Sequence, residues 1–315
     1  MSQSNNLKGA FFAFIAFSIY SSHDVIVRYL GGIYSPIQVL FFASLMSFPL
    51  LTLMMVQDAT PGTLRPLHPR WIILRSLTMV CGGLSGFYAF SSLPLAQVYS
   101  ILFTVPLLIT ILSIPILGEK VGLHRAGAVI VGLIGVLIVV RPGSTEITPG
   151  HASAMLAAIC VATQSVIARK IGKKERQIVM LLYPFAAVFI VMGASLGFVY
   201  KPMPFFDLAA MGTIAVMGFF AAFLLVGAYR AGEAAVVAPM QYIQIVWAAI
   251  FGALLFNETL DLPTIIGATV IISSGLYIVA REAFAGVSEN RPVLRTRSRA
   301  LSPGTFRIGF FLRRK

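Results

Sequence analysis

The fifteen residues GAVIVGLIGVLIVVR at 127–141 return, altered but in order, as GATVIISSGLYIVAR at 267–281. Gly127, Ala128, Gly135, Ile138, Val139 and Arg141 meet Gly267, Ala268, Gly275, Ile278, Val279 and Arg281 at a shift of 140. Working outward, Gly9, Ala13, Val25, Ile26, Arg28 and Gly31 fall on Gly150, Ala154, Val166, Ile167, Arg169 and Gly172 at a shift of 141. Ala89, Ala96, Val98 and Glu119 fall on Ala228, Ala235, Val237 and Glu258 at 139. A nearly constant offset over so long a span is the mark of internal duplication. It divides the chain into two repeats, 9–141 and 150–281, followed by a basic tail at 282–315.

Composition places both repeats in lipid. Of the 315 residues 58% are hydrophobic and only 11% charged, and the mean hydropathy is +0.88, far more apolar than a soluble domain of this length. A helix needs about 20 mainly apolar residues to cross roughly 30 Å of hydrocarbon. Ten runs qualify: 9–30, 36–56, 72–92, 95–117, 123–140, 150–168, 178–199, 208–228, 235–256 and 262–280. Strands of a membrane barrel read as alternating segments of about ten residues, and no such alternation is present. The expected fold is an all-α membrane protein of ten transmembrane helices. The first run lacks a strongly basic start and a small-residue cleavage site, so it reads as a retained span.

Charge sets the orientation. With the N-terminus in the cytoplasm, all of the 24 lysines and arginines except Arg28, Arg141 and Lys201 fall on the inner side, as the positive-inside rule asks. Both termini are then cytoplasmic, and the net charge of +13 describes a membrane face and asks for no nucleic acid. Five spans per repeat is an odd number, so the second repeat enters the bilayer from the opposite side. Two inverted five-helix repeats suit alternating access. No phosphate-binding G-x-x-x-x-G-K-[ST] loop is present, which points to secondary or facilitated transport with no cofactor and no metal. A membrane-embedded transferase, the alternative outside transport, would need paired carboxylates such as D-x-x-x-D, and Asp24 has no such companion. The chain is therefore not read as an enzyme.

Polar residues inside apolar runs are the site candidates, because a charge at the bilayer centre costs at least about 2.5 kcal/mol. His23 and Asp24 lie two thirds along the first run, and the repeat shift brings Gln164 and Ser165 to the equivalent place in the sixth. Asp24 reads equally well as a proton or substrate ligand and as the partner of Arg28, four residues on along the same face. In the ninth run, Gln241, Tyr242, Gln244 and Trp247 follow Pro239, and Gln241, Gln244 and Trp247 share a face that suits a planar, uncharged or zwitterionic solute. Tyr99 and Thr104 in the fourth run and Tyr88 near the end of the third complete the set. Arg75 reads as an inner-face anchor, and Cys81 and Cys160 as small core residues.

The two five-helix halves, Gly-Glu-Lys at 118–120 and Asn-Glu at 257–258 closing the fourth and ninth helices, and the glycine-rich helices that follow resemble the EamA family of the drug/metabolite transporter superfamily. The resemblance spans 9–281. It implies a bacterial inner-membrane carrier whose central cavity is lined mainly by helices 1, 3, 4, 6, 8 and 9. The His-Asp-Val-Ile-Val-Arg-Tyr-Leu-Gly stretch and Ala-Pro-Met-Gln-Tyr-Ile-Gln are similar to both riboflavin importers and S-adenosylmethionine uptake carriers. The N-terminal stretch and Leu-Pro-Leu-Ala-Gln at 93–97 look more like the riboflavin group. Riboflavin is thus the expected substrate, with S-adenosylmethionine or an amino-acid-like metabolite as the alternative. The expected partners are the lipid bilayer and that solute, with a homodimer left open.

Overall fold

The computed structural model describes residues 3–57, 63–118, 123–141, 148–172, 174–231, 237–259 and 261–284. Glu119, Lys120, the side chains of Tyr229 and Arg230, and the tail beyond 284 lie outside the described residues. Among the described residues eleven α-helices follow one another: α1 (Gln3–Gly31), α2 (Pro36–Gln57), α3 (Pro69–Ser92), α4 (Leu95–Leu102), α5 (Val105–Leu117), α6 (Leu123–Val140), α7 (Pro149–Ile171), α8 (Gln177–Leu196), α9 (Phe205–Ala231), α10 (Ile243–Phe256) and α11 (Leu262–Phe284). A 3₁₀ turn, Ala238–Tyr242, leads into α10. Among the described residues there is no strand.

Among the described residues seven segments are long and apolar enough to cross a membrane, α4 and α5 together making one of them. The regions around α6, α10 and α11 supply shorter apolar helices. Ten rods therefore account for the ten apolar runs. The α4–α5 rod is bent at Phe103–Thr104 because Pro106 has no amide hydrogen for the Leu102 carbonyl and its ring crowds that turn. Thr104 helps to stabilise the bend by donating its hydroxyl to the Ile101 carbonyl at 2.7 Å. Pro239 stands in the 3₁₀ turn of the ninth rod, so both rods that follow a repeat's third helix are irregular.

The rods pair in a regular pattern: α1 with α9, α3 with α7, α2 with α8, α6 with α11, and α4 with α10. Exchanging the two repeats maps this list onto itself. Lipid offers no hydrophobic reward for helix association, so close backbone approach through small residues has to hold such pairs together. At the α6–α11 crossing, a Cβ on Gly267 would lie 2.6 Å from the Gly135 carbonyl oxygen, and one on Gly135 would lie 2.9 Å from that of Gly267. The α1–α9 seam packs Ala13, Phe17 and Tyr20 against Ala221, Leu225 and Ala228.

The end of the bundle at which α1 and α3 terminate, here the distal end, is tied by polar contacts. Gln38, fully buried, donates Nε2 to the Lys201 carbonyl at 2.8 Å and accepts the Lys201 amide at 2.8 Å. The Tyr34 hydroxyl donates to Asp207. That hydrogen bond pushes the Tyr34 hydroxyl up to about 12, so the contact keeps its proton throughout the physiological range. Arg141 and Asp261 form an ion pair between the α6 end and the α11 start.

The most connected of these contacts is at Arg28. Its guanidinium forms an ion pair with Glu258, donates to the Leu93 carbonyl and to that of Phe90 at 3.3 Å, and lies 4.7 Å from the Phe256 ring centroid. Glu258 in turn accepts the Leu95 amide at 3.0 Å. Asn257, left-handed at φ 53°, turns the chain after α10 so that Glu258 folds back over Gly252, where a Cβ would meet its carboxylate at 2.8 Å. The pair thus satisfies the free carbonyls at the end of α3 and the free amide at the start of α4, which apolar surroundings would otherwise leave unpaired.

Replacing Glu258 by alanine strands a partly buried guanidinium, and is expected to cost about 3 kcal/mol. Arg28→Ala together with Glu258→Ala should cost less than the sum of the two single changes, as read by denaturation of the detergent-solubilised protein; strict additivity would contradict the coupling. Gly267→Ala should destabilise by about 2 kcal/mol through overpacking. Gly127→Ala, where a Cβ meets nothing within 4 Å, should be neutral or slightly stabilising.

Candidate functional site

Two of the polar residues singled out in the sequence, His23 and Gln164, line the same cavity. They occupy equivalent positions in the two repeats. The cavity holds about 290 Å³ and lies between α1, α2, α3, α7, α8 and α9, along the central turns of α3, α7 and α9. Its walls are mainly apolar, with Phe87, Phe185 and Phe219 as aromatic surfaces and Met54 and Met79 as adaptable ones. Ser44 and Ser47 also line it, but their hydroxyls are donated to the carbonyls of Phe41 and Ala43 within α2.

On the α7 side, Gln164 is 2% exposed. Its Nε2 donates to the Thr78 carbonyl at 3.1 Å, while Oε1 is buried with no hydrogen-bond partner among the described residues. A buried acceptor left unpaired costs about 1–3 kcal/mol, which marks Gln164 Oε1 as the polar atom of this wall with hydrogen-bonding capacity unused among the described residues. The glutamine is fixed from behind by Arg75, which donates to the Gln164 carbonyl at 2.7 Å and to the Met180 carbonyl at 3.1 Å. Arg75 is buried; where the sequence suggested an anchor at the membrane face, the structure shows a strut joining α3, α7 and α8.

On the α1 side, His23 Nδ1 lies 2.8 Å from Asp24 Oδ1, and the Tyr99 hydroxyl donates to Asp24 Oδ2. Asp24 and Tyr99 are buried, and neither lines the cavity, which His23 reaches. The Nδ1 contact with the carboxylate leaves the other ring nitrogen, Nε2, free of Asp24. The two readings of Asp24 that the sequence left open thus part here: Arg28 makes its ion pair with Glu258, and the Asp24 carboxylate is held by a histidine and a tyrosine.

The other candidates sit elsewhere. Trp247 donates its indole N–H to Ser18 Oγ at 2.9 Å and stacks on Phe251 with centroids 5.3 Å apart, which places it in the packing of α10 on α1. Gln244 is buried, its Nε2 without a partner among the described residues, and Gln241 is half-buried. Tyr242 packs edge-on against Phe103 at 5.1 Å, its hydroxyl reaching the space above Gly275. Thr104 and Ser165 are buried, and Tyr88 is exposed. None of these residues lines the cavity. This cavity is lined by the second and seventh helices, and not by the fourth and ninth. Those helices, α2 and α8, contain no charged residue to draw attention; of their polar residues, the serine pair at i and i+3 in α2 lines the cavity.

Comparison with known proteins agrees with this architecture. The sequence profile of the EamA-like transporter family matches twice, over residues 7–141 and 148–280. An S-adenosylmethionine uptake transporter of Rickettsia bellii is 31% identical over 262 residues, covering 83% of this chain and 90% of that protein. A riboflavin transporter of Brucella anthropi is 26% identical over 281 residues, covering 85% and 97%. A solved crystal structure superposes with a TM-score of 0.59 at 17% identity, over 92% of this chain and all of that one, a likeness of fold alone. The chain belongs to the EamA-like transporter family and is a multi-pass membrane protein.

Proposed function

We propose that this chain is a secondary or facilitative carrier of the bacterial inner membrane that imports a small metabolite built from a flat nitrogen heterocycle and a polar arm. The observation that carries the reading is the meeting of His23 and Gln164, equivalent residues of the two repeats, across one aromatic-walled cavity. Phenylalanine faces suit a heterocycle, and the unpaired Gln164 Oε1 suits its N–H donors. In this reading all ten rods cross the membrane, the units 9–141 and 150–281 are inverted repeats, and both termini are cytoplasmic. The exchange symmetry of the helix pairs supports this arrangement, as does the distribution of lysine and arginine.

Within that class we place S-adenosylmethionine ahead of riboflavin, reversing the order expected from the sequence. A carboxylate buried behind His23 favours a solute carrying positive charge, which S-adenosylmethionine has at its sulfonium. The identity to carriers named for that substrate points the same way. Riboflavin is the second reading, favoured by the neutral acceptor at Gln164 and the apolar walls.

Uptake of labelled S-adenosylmethionine and labelled riboflavin into proteoliposomes separates them. S-adenosylmethionine should enter saturably; accumulation of riboflavin alone would establish the second reading, and entry of neither would remove both. Gln164→Leu should raise KM for the transported solute about tenfold, the worth of one hydrogen bond to a buried acceptor, with little change in maximal rate.

A further inference from the structure

We infer that Arg75 is a positioning residue for the cavity: it binds the Met180 carbonyl that Pro184 leaves without an amide, together with the Gln164 carbonyl, and so fixes how far the α7 and α8 walls stand apart. The inference rests on the proposed passage of a solute through this cavity and adds which group holds its walls at the working distance.

Pro184 lies inside α8. A proline has no amide hydrogen for the carbonyl four residues earlier, here that of Met180, and its ring crowds that carbonyl. In an apolar medium such an acceptor needs a donor from elsewhere. Arg75 supplies it, reaching from α3 to donate Nε to the Met180 carbonyl at 3.1 Å. The same guanidinium donates Nη1 to the Gln164 carbonyl at 2.7 Å, which has a second lone pair to accept it even while engaged within α7. Because a guanidinium is planar and its N–H groups diverge at fixed angles, one side chain ties two helix backbones at a set separation.

The level of this tie gives it its consequence. To one side of Arg75 the three helices close on one another through Ile72 of α3, Ile171 of α7 and Ile178 of α8. To the other side they part around the cavity, which Gln164 and Phe185 line. Pro184 therefore stands where α8 passes from packed to cavity-lining, and Phe185 is the next residue. On α3, Thr78 and Gly82 share the face of Arg75 and complete the seat of Gln164. The Thr78 carbonyl accepts its Nε2 at 3.1 Å, and a Cβ on Gly82 would lie 3.7 Å from that nitrogen.

The choice of arginine points to spacing as its role. Arg75 is 6% exposed, and among the described residues it makes no ion pair, a costly placement for a charge. Satisfying a single carbonyl needs only a hydroxyl, as Ser44 and Ser47 do for Phe41 and Ala43 within α2. A hydroxyl cannot span two other helices, and the guanidinium does.

Three variants of the full chain test this: Arg75→Gln, Pro184→Ala and the two combined. In Pro184→Ala the restored amide takes the Met180 carbonyl, so Arg75→Gln should lower the melting temperature of the solubilised protein by no more than about half as much there as in the parent. Transport should not follow stability. In proteoliposomes, KM for labelled S-adenosylmethionine should rise about tenfold in Arg75→Gln, with the maximal rate changed less than about twofold. KM should stay raised in the double variant, where the carbonyl is satisfied but the walls are untied. Recovery of KM together with stability in the double variant, or strictly additive melting shifts, overturns the inference. Should Arg75→Gln alone fail to fold, the double variant against Pro184→Ala gives the same comparison of KM. Labelled riboflavin takes the place of S-adenosylmethionine if it alone enters. If neither enters, the substrate reading fails, and the spacing is read without solute. Spin labels at Thr163→Cys and Tyr183→Cys, with Cys81→Ala and Cys160→Ala, should then give a distance distribution that broadens on Arg75→Gln; an unchanged distribution overturns the inference.

Discussion

The contact on which the arrangement of helices most depends is the ion pair of Arg28 and Glu258. A chain that reverses direction inside an apolar medium leaves carbonyls at the end of one helix and amides at the start of the next, each costly to bury unpaired. Between α3 and α4 the reversal takes only Leu93 and Pro94, too few residues to satisfy those groups themselves, and Pro94 adds a residue with no amide hydrogen. Arg28 supplies donors for the Phe90 and Leu93 carbonyls, and Glu258 an acceptor for the Leu95 amide. Because the two side chains come from α1 and from the segment after α10, satisfying one turn fixes the relative positions of helices from both repeats.

That fixed point bears on the cavity. Asp24 lies one helical turn before Arg28, so the junction that holds Arg28 also sets the height of Asp24 against Tyr99. Tyr99 in turn belongs to α4, whose first amide is the one Glu258 accepts. The buried carboxylate near the cavity and the ion pair at the distal end are therefore two contacts along one helix surface. The opposite wall is set independently, by Arg75 bridging α7 and α8 through their carbonyls. Two arginines, Arg28 held by Glu258 and two carbonyls and Arg75 by two carbonyls, position the two repeats' polar residues around a space lined mostly by phenylalanine, methionine and aliphatic side chains.

Much of the fold was legible in the sequence because lipid imposes a length and a composition that leave little freedom: the ten apolar runs and the ten rods agree to within a few residues. The repeat shift was also informative about the site, since it singled out His23 with Gln164, and the two meet at one cavity. What could not be read was which helix faces look inward. In a soluble helix an apolar stripe marks the core, but α2, α8 and α9 carry apolar residues on every face, so hydrophobicity alone does not distinguish lipid from cavity. Trp247 shows the same limit. A polar-aromatic face on α10 looked like a binding wall, yet Ser18, a small residue on α1 that carries no signal of its own, takes the indole N–H.

Duplication explains why the site is asymmetric although its scaffold is not. The pairing of α1 with α9 and of α3 with α7 gives the cavity two equivalent walls, and a symmetric pair of residues at positions 23 and 164 would present the same group twice. Two histidine–aspartate pairs would bring two buried negative charges into one apolar space, each raising the cost of the other. Two glutamines would present neutral acceptors only, with nothing to distinguish a cation from its uncharged analogue. Divergence to His23–Asp24 on one side and Gln164–Ser165 on the other places an imidazole backed by a carboxylate on one wall and a neutral amide on another.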